Sequence, residues 1–259
     1  MSGAPANLGQ FPWQARVEFT TCEGTFLCGG VLISPCYVLT ARHCADEWET
    51  SPQNDFNVIL GDINRVGAQP GEEQFGVHFV HLHHNSKYDI ALLLLNQSPT
   101  QSNFIAPVRL SNTYPGIGER ACVSGWARFT SFSVSSVGLL WREIDLPTFW
   151  WCHQYIENNI GNYLNSLEYD ELCGGDLTNP TYAGACLGDS GGPLVRRNPN
   201  DNQWELIGVV ARGVPNCLTG FDHGIYTSVI YSVNPPSYRD GGLTAFWISQ
   251  LTQGLEVTV

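Results

Sequence analysis

Short runs rich in valine, isoleucine, leucine and aromatic residues recur along this chain, most of them bounded by glycine, proline, asparagine or aspartate. Branched and aromatic side chains suit a pleated surface, and the turn residues supply the backbone angles that chain reversal needs. The pattern therefore predicts strands over 13–19, 27–33, 37–40, 56–60, 76–82 and 90–95. A second set is predicted over 121–126, 140–146, 171–173, 193–196, 205–211 and 224–230. Between the sets, 96–112 is polar and broken by Pro99 and Pro107, so it reads as a connection. An all-β chain of this kind suits two small antiparallel barrels, although no internal repeat marks them out. The last segment differs. Leu243, Trp247 and Leu251 recur every fourth residue with Phe246 beside them, which predicts a C-terminal helix over 243–253 with one apolar stripe for core packing.

Composition narrows the classes of function. The 259 residues are enough for one large or two modest domains. Asp and Glu number 24 against 12 Lys and Arg, a formal net charge of −12, which argues against nucleic-acid binding and against docking on anionic lipid. No apolar stretch approaches the roughly 20 residues of a membrane span, and no signal peptide is visible. Nine cysteines point to an oxidising compartment, with a connectivity that spacing alone does not give.

The chemistry gathers in three segments. Gly188-Asp189-Ser190-Gly191-Gly192-Pro193 surrounds a serine with glycines, as expected where a substrate carbonyl must approach the backbone. Serine attacks a carbonyl poorly unless a base takes its proton and donors hold the oxyanion. Thr40-Ala41-Arg42-His43-Cys44 places a histidine at a strand end, and Tyr88-Asp89-Ile90 places a carboxylate at the head of an apolar strand, where burial would demand a partner. The glycine pattern also fits the nucleophile turn of α/β-hydrolases. That fold needs a helix after the serine, whereas Pro193-Leu194-Val195 reads as a strand. It also needs its acid and then its histidine downstream, where His223 is the only histidine.

The order His43, Asp89, Ser190 resembles the trypsin/chymotrypsin serine proteases, and the likeness runs from about Gly9 to Leu251. It implies a single peptidase domain over 1–259 made of two six-stranded antiparallel Greek-key barrels, at about 9–97 and 112–242, with the C-terminal helix. It implies Ser190 as nucleophile, His43 as general base, Asp89 as its orienting acid, and the N–H groups of Gly188 and Ser190 as the oxyanion hole. Asp189 would pair with an ammonium terminus created by activation cleavage. Met1 aligns about one residue after that terminus, so the partner is expected to be missing as the chain is written. Gly184 would floor the specificity pocket and Gly213 and Gly224 line its walls, an uncharged slot for large apolar or aromatic residues. The resemblance pairs Cys28 with Cys44, Cys152 with Cys173, and Cys186 with Cys217. Cys22, Cys36 and Cys122 remain, and Arg196 stands where the usual partner of Cys122 would be.

The expected activity is that of a secreted endopeptidase acting on proteins or peptides through an acyl-enzyme. An activating protease and protein inhibitors are the implied partners, and a monomer is expected. No cofactor is required. Asp62, Asn64, Glu72 and Glu73 are weak candidates for a calcium loop, and His78, His81, His83 and His84 for zinc. Four departures mark the site: Arg42 before the histidine, which would crowd the neighbourhood of Asp89, Ala211 in place of a serine that supports the aspartate, Arg212 in place of an aromatic beside the pocket, and a shortened segment between His84 and Asp89 that would open the cleft. The three substitutions and the missing activation terminus motivate the competing reading, a silent or zymogen-like homologue that serves as a binding or adaptor protein.

Overall fold

The computed structural model describes residues 3–21, 24–46, 56–126, 136–159, 167–168, 170–175, 185, 188–213, 224–230 and 243–252. Six strands, β2 (Gln14–Thr21), β3 (Gly24–Leu32), β4 (Tyr37–Thr40), β5 (Phe56–Leu60), β6 (Glu73–Leu82) and β7 (Ala91–Leu95), close a barrel in the order β2-β3-β4-β7-β6-β5. Period-two alternation turns Val17, Val58, Leu60 and Leu92 to full burial. The remaining strands form a sheet around β9 (Arg120–Gly125), β10 (Leu140–Asp145), β11 (Glu171–Gly174), β12 (Pro193–Arg197), β13 (Trp204–Arg212) and β14 (Gly224–Ser228), in the order β10-β9-β12-β13-β14-β11. Its outer strands meet at one bridge, where Asp145 and Gly175 exchange N–H···O bonds of 2.8 and 3.1 Å. The second set of six strands thus curls into a barrel as well.

Two short strands lie outside the expected set. β1 (Ala4–Pro5) pairs antiparallel with β10, so the chain begins on the second barrel before it builds the first. β8 (Arg109–Leu110), within the stretch expected to be a plain connection, pairs parallel with β13 and is the exception to an otherwise antiparallel fold. One core cluster spans both barrels, joining Val31, Leu39 and Leu92 to Val195, Leu206, Val209 and Val229. Burying that shared surface holds the barrels together. A second cluster around Val123, Leu194, Ile207 and Tyr226 fills the second barrel.

Two helices complete the described chain. α1 (Phe149–Asn159) lies where no element was expected, and its opening Phe149-Trp150-Trp151 has the aromatic composition that favours strands. Phe149 and Cys152, three residues apart, are the buried side, while Trp150 and Trp151 face solvent. α2 (Leu243–Leu251) lies within the predicted 243–253, but its buried face is rotated by about one residue. Thr244 and Ile248 are fully buried, Trp247 and Leu251 sit at the edge, and Phe246 is exposed. Among the described residues no helix is long and apolar enough to cross a membrane.

Candidate active site

β4 ends at Thr40, and the chain enters a single 3-10 turn, Arg42–Cys44. Cys44 is buried and disulfide-bonded to Cys28 on β3, which anchors the turn and leaves the His43 side chain 47 % exposed. Asp89, just before β7, holds His43 twice. Its Oδ1 accepts the His43 backbone N–H at 2.9 Å, and its Oδ2 lies 2.7 Å from His43 Nδ1. A carboxylate at Nδ1 keeps the proton there and leaves Nε2 as the basic nitrogen. Among the described residues Nε2 has no hydrogen-bond partner. Burial lowers the His43 pKa, but the Asp89 hydrogen bond and the charges of Asp89 and Asp46 outweigh it, so the net shift is upward.

Ser190 sits between Gly188, at φ +100°, and Gly191, at φ +80°, in a loop docked on the first barrel. The Gly29 N–H donates to the Ser190 carbonyl at 2.7 Å, and Cys44 Sγ lies 3.8 Å from the same oxygen, so the serine's backbone and the histidine's turn touch. The expected reason for the glycines needs correction at Gly191. A Cβ on Gly191 would overlap Thr40 Oγ1 and the Gly29 carbonyl, and one on Gly29 would lie 2.7 Å from Gly192 Cα. These residues let the two barrels approach backbone to backbone, rather than admitting substrate. The N–H groups of Gly188 and Ser190 donate to no described residue. Two free donors flank the serine.

Asp189 is fully buried, and its carboxylate packs against Gly125, where a Cβ would overlap Oδ1. Thr227 was missed in the sequence, although a threonine in the buried run Gly224–Ser228 is a signal. Its hydroxyl donates to the Asp89 carbonyl oxygen at 3.2 Å. Arg42 does not crowd Asp89. Its guanidinium turns to Asp46, at 3.1 Å, and to the His83 carbonyl. Arg212 reaches across β14 to Glu171 on β11 and pairs with both carboxylate oxygens, one at 2.8 Å. Burial pushes the Glu171 pKa up, against the opposing pull of Arg212.

Among the pocket candidates, Gly184 lies outside the described residues, as do Cys22 and the Cys186–Cys217 pairing. A Cβ on Gly213 would sit 3.1 Å from the Ala185 carbonyl, and one on Gly224 would sit 2.6 Å from the Tyr226 hydroxyl. The buried Tyr226 ring leaves no room for a Cβ at Gly224, whereas at Gly213 the neighbouring carbonyl would have to give by only a few tenths of an ångström. Cys152 and Cys173 are bonded, and among the described residues Cys36 and Cys122 form no disulfide. The register sets Cys122 opposite Val195 on β12, next to Arg196. Asp62 pairs with Arg16, Glu72 accepts the Gln69 N–H, and Glu73 accepts the Thr100 N–H. His83 is buried among the rings of His84, Tyr88 and Trp247. No three His, Cys, Asp or Glu among the described residues could hold a metal ion together.

The Trypsin family profile matches residues 1–235. Serine protease 7 of Drosophila melanogaster is 34 % identical, over 88 % of this chain and 61 % of its own length. Mannan-binding lectin serine protease 1 of Homo sapiens is 29 % identical, over 88 % of this chain and 34 % of its own. A CLIP domain-containing serine protease HP8 of Bombyx mori is 28 % identical, over 88 % and 65 %. The chain thus spans between about a third and two thirds of the lengths of these relatives. Histidine, aspartate and serine segments held together at the junction of two six-stranded barrels agree with that match, and the chain belongs to the trypsin-like serine protease family.

Proposed function

We propose that this chain is a secreted serine endopeptidase that hydrolyses peptide bonds through an acyl-enzyme, after large apolar or aromatic residues. The observation that carries the reading is the double grip of Asp89 on His43 next to a serine loop with two unused N–H donors. Ser190 Oγ adds to the scissile carbonyl carbon while its proton passes to His43 Nε2. The oxyanion is held by the Gly188 and Ser190 N–H groups, and His43 then protonates the departing amine. Water repeats the sequence on the acyl-enzyme and frees the serine. Asp89 keeps the imidazole in the required tautomer and stabilises its protonated form, and Asp189 braces the oxyanion loop. The two disulfides among the described residues support secretion. The uncharged residues Gly184, Gly213 and Gly224 support an apolar pocket.

One observation favours a second reading, a zymogen-like or silent homologue acting as a binding or adaptor protein. Ser190 Oγ makes no hydrogen bond to His43 or to any other described residue. Such bonds often tighten only around substrate. A fluorophosphonate probe separates the readings. Stoichiometric labelling of Ser190, located by mass spectrometry and lost in His43→Ala, supports the peptidase; an unlabelled wild-type chain supports the homologue. Turnover of only arginine or lysine substrates would overturn the apolar pocket.

A further inference from the structure

The loop between β5 and β6 carries the four oxygen-bearing residues whose likeness to a calcium loop was noted. Its centre is Asp62, whose side chain is fully buried. Arg16, nine-tenths buried on β2, donates from Nε to Asp62 Oδ2 at 2.9 Å. The other oxygen, Oδ1, accepts the Asn64 N–H at 2.6 Å and Gln69 Nε2 at 2.5 Å. Arg16 Nη1 also pairs with Glu18, two residues along on the same face of β2. Asn64 Oδ1 is taken by the Val66 N–H at 3.3 Å and Glu72 Oε2 by the Gln69 N–H at 3.2 Å. Glu73 is drawn out of the loop to the Thr100 N–H at 3.2 Å.

A calcium ion asks for about six to eight oxygens with free lone pairs at about 2.3–2.6 Å. Here every one of the four candidate side chains already accepts a hydrogen bond, and a guanidinium sits against the central carboxylate. We propose that Arg16 is this loop's own cation, a side chain in the role a metal would otherwise fill, and that the loop keeps its shape without calcium. The consequence reaches beyond the loop. Arg65 N–H donates to the Val137 carbonyl at 2.9 Å, Leu139 N–H donates to the Ile63 carbonyl at 2.7 Å, and Asn64 bridges to Gly138. The Arg16–Asp62 pair therefore fixes a clip between the first barrel and the segment that leads into β10.

Calcium titration by calorimetry and thermal melting read this directly, and neither depends on peptidase activity. The whole chain is expected to bind no calcium at millimolar concentration and to melt at the same temperature in calcium or in chelator. Arg16→Gln strands the buried Asp62 carboxylate and is expected to lower Tm by about 10 °C. Stoichiometric calcium binding by the wild-type chain, or an Arg16→Gln variant that melts like it, would overturn the proposal. Should Arg16→Gln not fold, Arg16→Lys decides. A lysine variant that folds with a lowered Tm supports a required cation, and one that also fails to fold counts against it.

Discussion

His43–Asp89 and Arg196–Glu205 both set a basic side chain against a carboxylate, at 2.7 and 2.8 Å, yet they are finished differently. Arg196 and Glu205 are each 2 % exposed. The Arg196 guanidinium donates to Glu205, Glu119, Ser111 and Thr113, so little of its donor capacity is left. The His43 side chain is 47 % exposed and has one side-chain partner. The Arg196–Glu205 pair is saturated and dry, so its removal should cost stability. The His43–Asp89 pair leaves a basic nitrogen uncommitted, so its removal should cost rate. Ionic contact alone does not mark function; an unspent valence beside a nucleophile does. Arg196 also explains an absent staple. The family's cysteine is missing from β12, and a buried polar network ties that strand to Ser111, Thr113 and Glu119 instead. The Cys122 thiol nearby is left inert, its pKa pushed up to about 12 by burial and by Glu143, against Arg120 and Arg197.

The largest expected effect tests the rate side of this contrast. Asp89→Asn should lower kcat by about four orders of magnitude, a magnitude taken from the family's triads rather than from this geometry, because it fixes the wrong imidazole tautomer. Its melting temperature should stay within a few degrees of wild type. A loss below about tenfold would mean that the pair does not act as a catalytic unit. The stability side comes next. Arg196→Met should lower the unfolding free energy by about 3–5 kcal/mol, since it leaves the buried Glu205 carboxylate with only the more distant Arg109, at 3.7 Å. Denaturant unfolding measures this, and kcat/KM well below the melting point should hold. Adding Glu205→Leu should recover much of the loss, because an uncharged pair has no stranded ion. Equal effects of Asp89→Asn and Arg196→Met on both rate and stability would erase the distinction.

Strand positions were the most legible part of the chain, because alternation on a half-buried surface leaves a period of two that survives irregular ends. β1 and β8 were not legible. Each has two residues, and each is defined only by the partner it meets. α1 was hidden because its aromatic opening has strand-like composition, while its burial rests on Phe149 and Cys152 alone among the side chains described. The triad segments stood out because His43 and Asp89 sit at the ends of apolar runs and Ser190 is ringed by glycines. Thr227 did not, since its role depends on a contact 138 residues away. The exit of Arg42 toward Asp46 and His83 likewise needs coordinates, because the sequence records its size and not its direction.

The pH dependence sharpens the reading of His43. Its pKa is raised, and the base works only when neutral, so the acid limb of kcat/KM should lie above the ordinary imidazole value. Asp46→Asn removes one of the raising charges and should move that limb down without touching Asp89. The same shift has a stability sign. A raised folded pKa stabilises the fold below the unfolded value, and that contribution is lost as pH rises through the folded pKa. An acid limb unmoved by Asp46→Asn would assign the shift to Asp89 alone.

Thr227 should give the smallest effect, and it bears on whether the loss of a serine at Ala211 is compensated. Its hydroxyl reaches the Asp89 carbonyl oxygen at 3.2 Å, so it holds the backbone of the acid and leaves both carboxylate oxygens to His43. Thr227→Val keeps the shape and removes one neutral hydrogen bond of roughly 1 kcal/mol, about fivefold in kcat/KM if the whole loss falls on the transition state. Thr227→Ser should restore the rate, because it keeps the hydroxyl and loses only a methyl group. A valine variant that loses stability but not kcat would make the threonine a packing residue. A fivefold kcat loss that serine rescues would make it a positioning residue, one that acts on Asp89 through the main chain.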